Sequence, residues 1–144
     1  MAKPELVYVN TIKATPEQVW QALTDPAFTE RYWYGTRVES DWQVGSPILF
    51  RKPQGEPDTG KVLVAEKPRT LSFAWHVAYG DFAKEKDSRV TFTVEPDGDH
   101  VKLTLVHDDF EDGSALRQTM EKGGWPPILA GLRKALEEAA TAAR

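Results

Sequence analysis

The sequence LSFAWHVAY, residues 71–79, decides the fold of this chain. Apolar and aromatic side chains occupy every second position, and serine, alanine and histidine stand between them. Successive side chains of a β-strand point to opposite faces of a sheet, so this alternation predicts a strand with one apolar face. That face is predicted to carry Leu71, Phe73, Trp75, Val77 and Tyr79. A face so rich in aromatic rings must be covered by another element.

The segments on both sides of this strand have the same period of two. We predict further strands over residues 6–13, 36–42, 48–52, 61–66, 89–95 and 101–107. The last two flank Pro96-Asp97-Gly98, a turn signal because proline fixes φ and glycine accepts a positive φ. Consecutive hairpins of this kind predict an antiparallel sheet of six or seven strands, with the first strand at an edge.

Two short helices are predicted after the first strand. Thr15-Pro16-Glu17-Gln18 supplies a capping threonine, a proline in the first turn and a glutamine that completes a capping box. Asp25-Pro26 ends this helix and begins a second one that runs to about Tyr32.

The C-terminal part is predicted to be helical. A short helix over residues 114–122 is interrupted by Gly123-Gly124, and Pro126-Pro127 fit only the first turn of a new helix. This last helix, which we predict to run to Ala143, is roughly 27 Å long at 1.5 Å per residue and can cross the whole sheet. Its apolar stripe is formed by Ile128, Leu129, Leu132, Leu136, Ala139, Ala140 and Ala143. We therefore predict one α+β domain over residues 1–144, with the long helix on the aromatic face of the sheet.

This order of elements is the helix-grip arrangement, and the motifs resemble a known superfamily. Residues 14–26, ATPEQVWQALTDP, resemble the opening of START-like (SRPBCC) proteins, and among these the C-terminal-domain-like family of heat-shock protein 90 ATPase activator homologues. Later motifs agree in order: Val44-Gly45, Gly60-Lys61-Val62, residues 71–75, residues 90–92, residues 103–107 and Gly124-Trp125. The resemblance covers nearly the whole chain and implies a START-like (Bet v 1-like) sheet curved around the C-terminal helix.

The resemblance implies a leading function and two alternatives. The leading function is a small-molecule binding protein, whose apolar or aromatic ligand (lipid-, sterol- or polyketide-like) lies between the sheet and the C-terminal helix. The first alternative is a co-chaperone that activates the heat-shock protein 90 ATPase. Full eukaryotic activators carry an additional N-terminal domain, for which this chain has no room. The second alternative is a cyclase- or hydrolase-like enzyme using the same cavity, which needs a buried acid or base. No catalysis is required to explain the residues, and we predict no catalytic residue.

The predicted ligand site is mainly aromatic. Its expected lining residues are Trp33, Phe50, Phe73, Trp75, Tyr79, Phe92, His107, Trp125 and Leu129. Each aromatic residue taken singly fits an ordinary core equally well, but a curved sheet facing one helix tends to leave an apolar gap. His107 is either a polar anchor in this cavity or a rim histidine bonded to backbone. Trp125 is either a wall of the pocket or a plug of the core. Asn10 is a further candidate for a polar group in the cavity.

Several other chemistries are poorly supported. The chain has no cysteine, which excludes disulfides, thiol catalysis and thiolate zinc sites, and its three histidines lack metal-ligand spacing. We predict neither a metal nor a cofactor. The net charge of −4 has the wrong sign for a nucleic-acid binder. Residues 55–62 match the spacing of a phosphate loop, but Val62 replaces the required serine or threonine and a strand follows instead of a helix.

The sequence also predicts where the protein resides. No apolar stretch is long enough to span a bilayer, so we predict no membrane span. The N-terminal residues Met1–Glu5 lack the apolar region of a secretory signal. Together with the absence of cysteine, these features predict a cytoplasmic protein.

Overall fold

The computed structural model describes residues 5–142 of the chain. The seven strands are β1 Leu6–Ile12, β2 Arg37–Glu39, β3 Pro47–Arg51, β4 Asp58–Glu66, β5 Thr70–His76, β6 Ser88–Asp97 and β7 His100–Asp108. The four α-helices are α1 Pro16–Thr24, α2 Pro26–Tyr32, α3 Ala115–Thr119 and α4 Trp125–Ala142, with a 3₁₀ turn at Gly80–Lys84 and a π-helical turn at Met120–Gly124. Three predictions fall outside these residues: the domain ends at residues 1 and 144, the N-terminal residues 1–4, and the end of the last helix at Ala143.

The strands form one antiparallel sheet in the order β1-β7-β6-β5-β4-β3-β2. Strands β2 to β7 follow one another as hairpins. Because β1 pairs only with β7 among the described strands, this first strand of the sequence lies at one edge of the sheet. The two short helices follow β1, and α4 contacts both β1 and α2. This is the predicted helix-grip architecture, a curled seven-stranded sheet closed by the C-terminal helix, and the prediction of its fold class is confirmed.

The helix starts lie where local sequence predicts them. The Thr15 hydroxyl accepts from the Gln18 backbone N–H at 3.2 Å, and the Gln18 side chain accepts from the Thr15 N–H at 2.8 Å. The Asp25 carboxylate caps α2 by accepting from the Ala27 N–H at 2.9 Å. Each cap satisfies N–H groups that have no partner inside the helix, so the boundary depends only on neighbouring residues.

The predicted interruption at Gly123-Gly124 takes the form of a π-helical turn, and the chain stays helical from Ala115 to Ala142. The Trp125 N–H bonds to the Met120 carbonyl, five residues back. Pro126 and Pro127 lack an N–H and cannot bond to the carbonyls four residues before them. The Gly123 carbonyl, which Pro127 leaves free, accepts instead from the Tyr34 hydroxyl at 2.6 Å.

Two predicted strands are longer than the observed ones. β2 covers only Arg37–Glu39, and β5 ends at His76 instead of Tyr79. The expectation that Tyr79 shares the inward face is wrong, since this side chain is 67% exposed. The chain leaves the sheet because the Ala78 N–H donates to the Asp58 carboxylate at 2.9 Å, and Gly80 then turns with a φ of +54°.

The core lies between the sheet and α4. Its centre is an aromatic cluster formed by Trp33, Phe50, Phe73, Trp75, Phe92 and Trp125, all buried. Neighbouring rings of this aromatic cluster have centroid separations from 5.4 to 6.4 Å, the spacing of packed aromatic pairs. Trp42 is partly buried against the core and donates from Nε1 to the Thr24 carbonyl at 3.2 Å. The inward aromatic face is therefore largely filled by its own side chains.

Candidate ligand-binding cleft

A cleft opens at one end of the sheet, beside the aromatic cluster. Its outer part has a volume of about 540 Å³ and its inner part about 230 Å³. The two parts are adjacent, since they share the lining residues Tyr34, Thr36, Lys52, Asp58, Val77 and Phe82. The cleft therefore leads from the surface towards the core.

The inner part of the cleft is mostly apolar. Trp75 lines it from β5 and Trp33 from the C-terminal end of α2, and Leu116, Met120 and Ile128 line it from the C-terminal helical segment. Gly123 and Gly124 also line it, and neither brings a side chain into the space. The π-helical turn thus leaves room where a regular helix with larger residues would close the gap.

Three polar side chains, which we call the polar collar, lie where the outer and inner parts meet: Thr36, Lys52 and Asp58. The Lys52 ammonium donates to Asp58 Oδ1 at 2.9 Å, and the Ala78 N–H donates to the same oxygen at 2.9 Å. Asp58 is only 6% exposed, so its charge needs the lysine nearby. β3 ends just before Lys52 and β4 begins at Asp58, so the two charges lie in and beside the loop that joins these adjacent strands.

Trp75 contributes a second polar feature to the inner wall. Its indole Nε1 is buried and has no hydrogen-bond partner among the described residues. Buried N–H groups are rarely left unpaired, because losing water without gaining a partner costs roughly 1–3 kcal/mol. Trp75 thus lines the cleft and also carries a buried N–H donor that is unpaired within the described residues.

Tyr34 crosses the mouth of the cleft. It adopts a left-handed backbone conformation, with a φ of +50°, which non-glycine residues rarely adopt. Its hydroxyl donates to the Gly123 carbonyl at 2.6 Å, a contact between residues 89 positions apart. This bond joins the loop after α2 to the π-helical turn on the other side of the cleft.

His107 lies in the core behind the cleft and is fully buried. Its Nδ1 accepts from the Trp125 indole N–H at 2.9 Å, and its Nε2 lies 2.7 Å from the Ser88 hydroxyl. Because Nδ1 accepts, the neutral ring carries its proton on Nε2, which donates to Ser88. Burial lowers the pKa of His107 from 6.5 to about 3, so the ring is neutral at physiological pH.

A larger hollow of about 790 Å³ lies on the outer side of α4. Asn10 lines it beside a row of charged side chains, Arg133, Lys134, Glu137 and Glu138. The Asn10 amide donates to the Leu129 carbonyl at 3.3 Å and so lies away from the cleft. Pro126 and Ala130 also line this hollow, but it lacks the aromatic walls expected of a site for an aromatic ligand.

The comparison with protein families gives one decisive match. The model of the family described as Activator of Hsp90 ATPase homolog 1-like protein matches residues 13–137. The chain belongs to this family. Among curated proteins the comparison found no match.

Solved structures agree with this assignment to the Hsp90 ATPase activator homologue family. Protein MLL2253 from Mesorhizobium loti is 28% identical, with a TM-score of 0.79 over 93% of this chain and 97% of its own. Aha1 from Colwellia psychrerythraea, solved as a dimer, is 22% identical, with a TM-score of 0.75 over 92% and 96% of the two chains. DynU16, from the dynemicin biosynthetic locus, is 18% identical with a TM-score of 0.77, over 94% of this chain and 48% of its own. The family resemblance and the START-like fold predicted from sequence are thereby confirmed.

The predicted site residues of this family member separate into two groups. Trp33, Trp75 and Tyr79 line the cleft, Tyr79 at its outer part. The other six, Phe50, Phe73, Phe92, His107, Trp125 and Leu129, are buried and are not among the lining residues of the cleft. Their role as ligand contacts stays a prediction.

Sequence reasoning missed most of the other lining residues. Thr36, Lys52 and Asp58 lie at strand ends or in loops, where a polar residue is ordinary and gives no signal. Leu116 lies in α3 and Met120 begins the π-helical turn, and the position of this segment over the sheet is not encoded in its local pattern. Two charges brought into a buried setting by adjacent strands are visible only once the strand pairing is known.

Of the helices between residues 5 and 142, none is long and apolar enough to cross a membrane.

Proposed function

We propose that this protein binds an apolar or aromatic small molecule in the cleft between the open end of the sheet and the α3–α4 segment. The observation that carries the proposal is the inner part of the cleft, about 230 Å³ in volume and walled by Trp33 and Trp75. An engineered apolar protein cavity of ~150 Å³ already admits benzene. A larger space with aromatic walls suits a ligand of one or two rings, and a longer ligand would extend into the outer part.

The composition of the cleft supports this proposal. Small-molecule sites are concave and mostly apolar, with a few polar groups that fix orientation. Here the apolar part is deep and the polar collar separates it from the outer part. A ligand of drug size in such a site is expected to bind in the micromolar range, about −8 kcal/mol.

The buried residues predicted for the site support the cleft from behind. Phe50 and Trp125 pack against the two tryptophans of the cleft, with ring centroids 5.4 to 6.0 Å from those of Trp33 and Trp75. We propose that Trp33, Trp75 and Tyr79 contact the ligand directly, and that Phe50 and Trp125 hold the two tryptophans in position. Lipid-, sterol- and polyketide-like molecules remain the proposed ligand classes. DynU16, a structural neighbour, comes from a biosynthetic locus, which agrees with a small-molecule role.

An NMR titration tests the proposal. The chain has five tryptophans, so a ¹⁵N-labelled sample gives five indole N–H signals that single Trp-to-Phe variants assign. Titration with 2-methylnaphthalene should shift the signals of Trp33 and Trp75 and should leave that of Trp20 unchanged. Trp75→Phe should weaken binding several-fold, and Trp20→Phe, which alters an equally buried tryptophan outside the cleft, should not. Shifts confined to exposed loops across a panel of apolar compounds would contradict the proposal.

The family match keeps activation of heat-shock protein 90 ATPase as the second candidate. Adding the protein to that chaperone at stoichiometric concentration measures it directly. Several-fold acceleration of ATP turnover, unchanged when Trp75→Phe weakens ligand binding, would rank this function above small-molecule binding. If turnover stays the same, small-molecule binding remains the leading proposal.

The enzyme alternative needs a buried acid or base in the cleft. Asp58 meets this requirement in position, since it is buried and lines the cleft. Conversion of a bound compound into a product, detected by mass spectrometry and lost in Asp58→Asn, would favour this alternative. A compound recovered unchanged after prolonged incubation would favour simple binding.

A further inference from the structure

We propose that the ligand carries a hydroxyl group on its aromatic body, and that this hydroxyl bonds to Lys52 and Asp58 of the polar collar. The inference rests on the proposed function, because it names the chemistry of the ligand for the same cleft. It places the ring inward, against Trp33 and Trp75, and the hydroxyl at the junction of the inner and outer parts.

The polar collar has unused hydrogen-bonding groups. Both hydrogen bonds to the Asp58 carboxylate fall on Oδ1, so Oδ2 receives none from the residues that the structure describes. The ammonium group of Lys52 has three donors, and one of them serves Asp58 Oδ1. A free acceptor and free donors therefore lie side by side on the wall of the cleft.

The charges of the collar select against an ionic ligand. Lys52 and Asp58 form a pair with an N–O separation of 2.9 Å, and their side chains are 22% and 9% exposed. An anionic group would gain from Lys52 but would be repelled by the Asp58 carboxylate, and a cationic group would meet the reverse. Because the pair is neutral as a whole, it favours a neutral group.

Among neutral groups, a hydroxyl fits both partners. It accepts from Lys52 Nζ through its oxygen and donates to Asp58 Oδ2 through its hydrogen. A ketone or ether could accept from Lys52, but it has no hydrogen to donate to Asp58 Oδ2. It would displace water from Oδ2 and leave this oxygen without a hydrogen bond, which costs free energy in a buried setting. Hydrogen bonds to charged groups are also the stronger ones, so the gain from a matching hydroxyl is large.

Three naphthalene probes of similar size test this inference: 2-naphthol, 2-methylnaphthalene and the anion 2-naphthoate. Their dissociation constants are measured by calorimetry, and the indole signals of Trp33 and Trp75 report whether each probe enters the cleft. We expect 2-naphthol to bind about tenfold more tightly than 2-methylnaphthalene and more tightly than 2-naphthoate. In the double variant Lys52→Met, Asp58→Asn, the preference for 2-naphthol should fall below threefold, while 2-methylnaphthalene still binds.

A matched control is the double variant Glu39→Gln, Arg51→Met. It removes an ion pair with the same 2.8–2.9 Å spacing, next to Lys52 in the chain but exposed to solvent. The tenfold preference should persist in it. If the Lys52, Asp58 double variant does not fold, Asp58→Asn alone serves, because an asparagine oxygen can still accept from the Ala78 N–H.

The outcomes separate this inference from the proposed function. Equal affinity for 2-naphthol and 2-methylnaphthalene, with both shifting Trp33 and Trp75, would overturn the hydroxyl assignment and leave small-molecule binding intact. Tightest binding of 2-naphthoate, or a preference for 2-naphthol that survives loss of the collar charges, would overturn it too. Failure of every probe to shift the cleft signals would overturn both.

Discussion

The indole Nε1 of Trp125 donates a 2.9 Å hydrogen bond to Nδ1 of His107. The bond joins the first residue of α4 to the end of β7, and both side chains are 0% exposed. The other ring nitrogen of His107 is satisfied by Ser88 at 2.7 Å. The hydrogen-bonded chain Trp125–His107–Ser88 sets the position of α4 on the sheet, since neither the indole nor the imidazole can move without losing a buried hydrogen bond.

Trp125 is expected to act as a plug of the core. Trp125→Ala should lower the free energy of unfolding by about 3–5 kcal/mol, because it leaves a cavity and removes a partner of His107. Trp125→Phe keeps a ring but leaves His107 Nδ1 unsatisfied, at a cost of roughly 1–3 kcal/mol. Denaturant melts measure both values, with the exposed Tyr79→Ala as a control expected within about 0.5 kcal/mol of the parent. A loss below about 1–2 kcal/mol for Trp125→Ala would indicate the partly unpacked wall of a pocket.

The pH dependence of stability should reflect His107. Its pKa is 6.5 when unfolded and about 3 in the folded protein, where burial disfavours the charged ring. Below pH 6.5 the unfolded chain takes up a proton that the folded protein does not, so stability falls as the pH falls towards 3. Between pH 7.5 and pH 5 this amounts to about 2 kcal/mol.

Equilibrium unfolding at several pH values tests this dependence. His107→Gln should flatten it, because glutamine does not titrate in this range. As a second measurement, the ring signals of His107 in NMR spectra should not titrate between pH 7.5 and pH 5. A His107 ring that titrates near pH 6.5 would contradict the buried neutral state.

Two neighbouring glycines in the π-helical turn should respond differently to alanine. A Cβ on Gly124 would lie against Met120 Sδ and 2.6 Å from Met120 Cε, whereas a Cβ on Gly123 meets nothing within 4 Å. Gly124→Ala must displace Met120, which lines the inner cleft, so we expect weaker binding of 2-methylnaphthalene by several-fold. Gly123→Ala adds a methyl group that meets no atom of the described residues within 4 Å, so it should bind 2-methylnaphthalene more tightly than Gly124→Ala does and should stabilise the helix by up to about 1 kcal/mol. Calorimetry and melts of both variants decide, and equal affinities in the two would place the ligand away from Met120.

The hydrogen bond from Tyr34 to Gly123 should control access to the cleft. Tyr34→Phe removes a bond at the protein surface, where water can replace it, so we expect a stability loss of about 1 kcal/mol or less. Association and dissociation of 2-naphthol should both become several-fold faster, as measured by stopped-flow tryptophan fluorescence. Tyr8→Phe is the control, because Tyr8 also donates to the π-helical turn, at Glu121, but is not among the residues lining the cleft. Equal rates in Tyr34→Phe and the parent would show that the mouth opens without breaking this bond.

ATP is not expected to bind at the loop with phosphate-loop spacing. Gly60 and Lys61 lie within β4, and the close approach of Gly60 to the Ala74 carbonyl, 2.5 Å from an added Cβ, accounts for this glycine. No helix begins after the loop to direct its N–H groups at a phosphate, since β4 runs from Asp58 to Glu66. ATP with magnesium should therefore leave the melting temperature unchanged, whereas a ligand at a hundred times its Kd would add about 2.7 kcal/mol. A saturable shift that Lys61→Ala abolishes would contradict this.

The elements of the fold followed from local sequence because their signals depend on near neighbours. The alternation in residues 71–76 gave a strand, and the capping groups of Thr15 and Asp25 gave two helix starts. Val77 continues the apolar alternation and is buried, but Tyr79 is exposed, because Asp58, from another strand, captures the Ala78 N–H. A partner 20 residues away along the chain is invisible to a local pattern.

The candidate site could be predicted only in part for the same reason. The sequence by itself determined that aromatic side chains face a long helix, since hydrophobic periodicity requires that burial. Whether those rings close the gap or leave a cleft depends on how their volumes fit together, and Phe50, Phe73 and Phe92 fill the centre while Trp33 and Trp75 border the space. The tertiary structure alone decided the polar collar, because no local residue pattern specifies that Lys52 and Asp58, 2.9 Å apart on the β3–β4 hairpin, line a cleft beside the aromatic cluster.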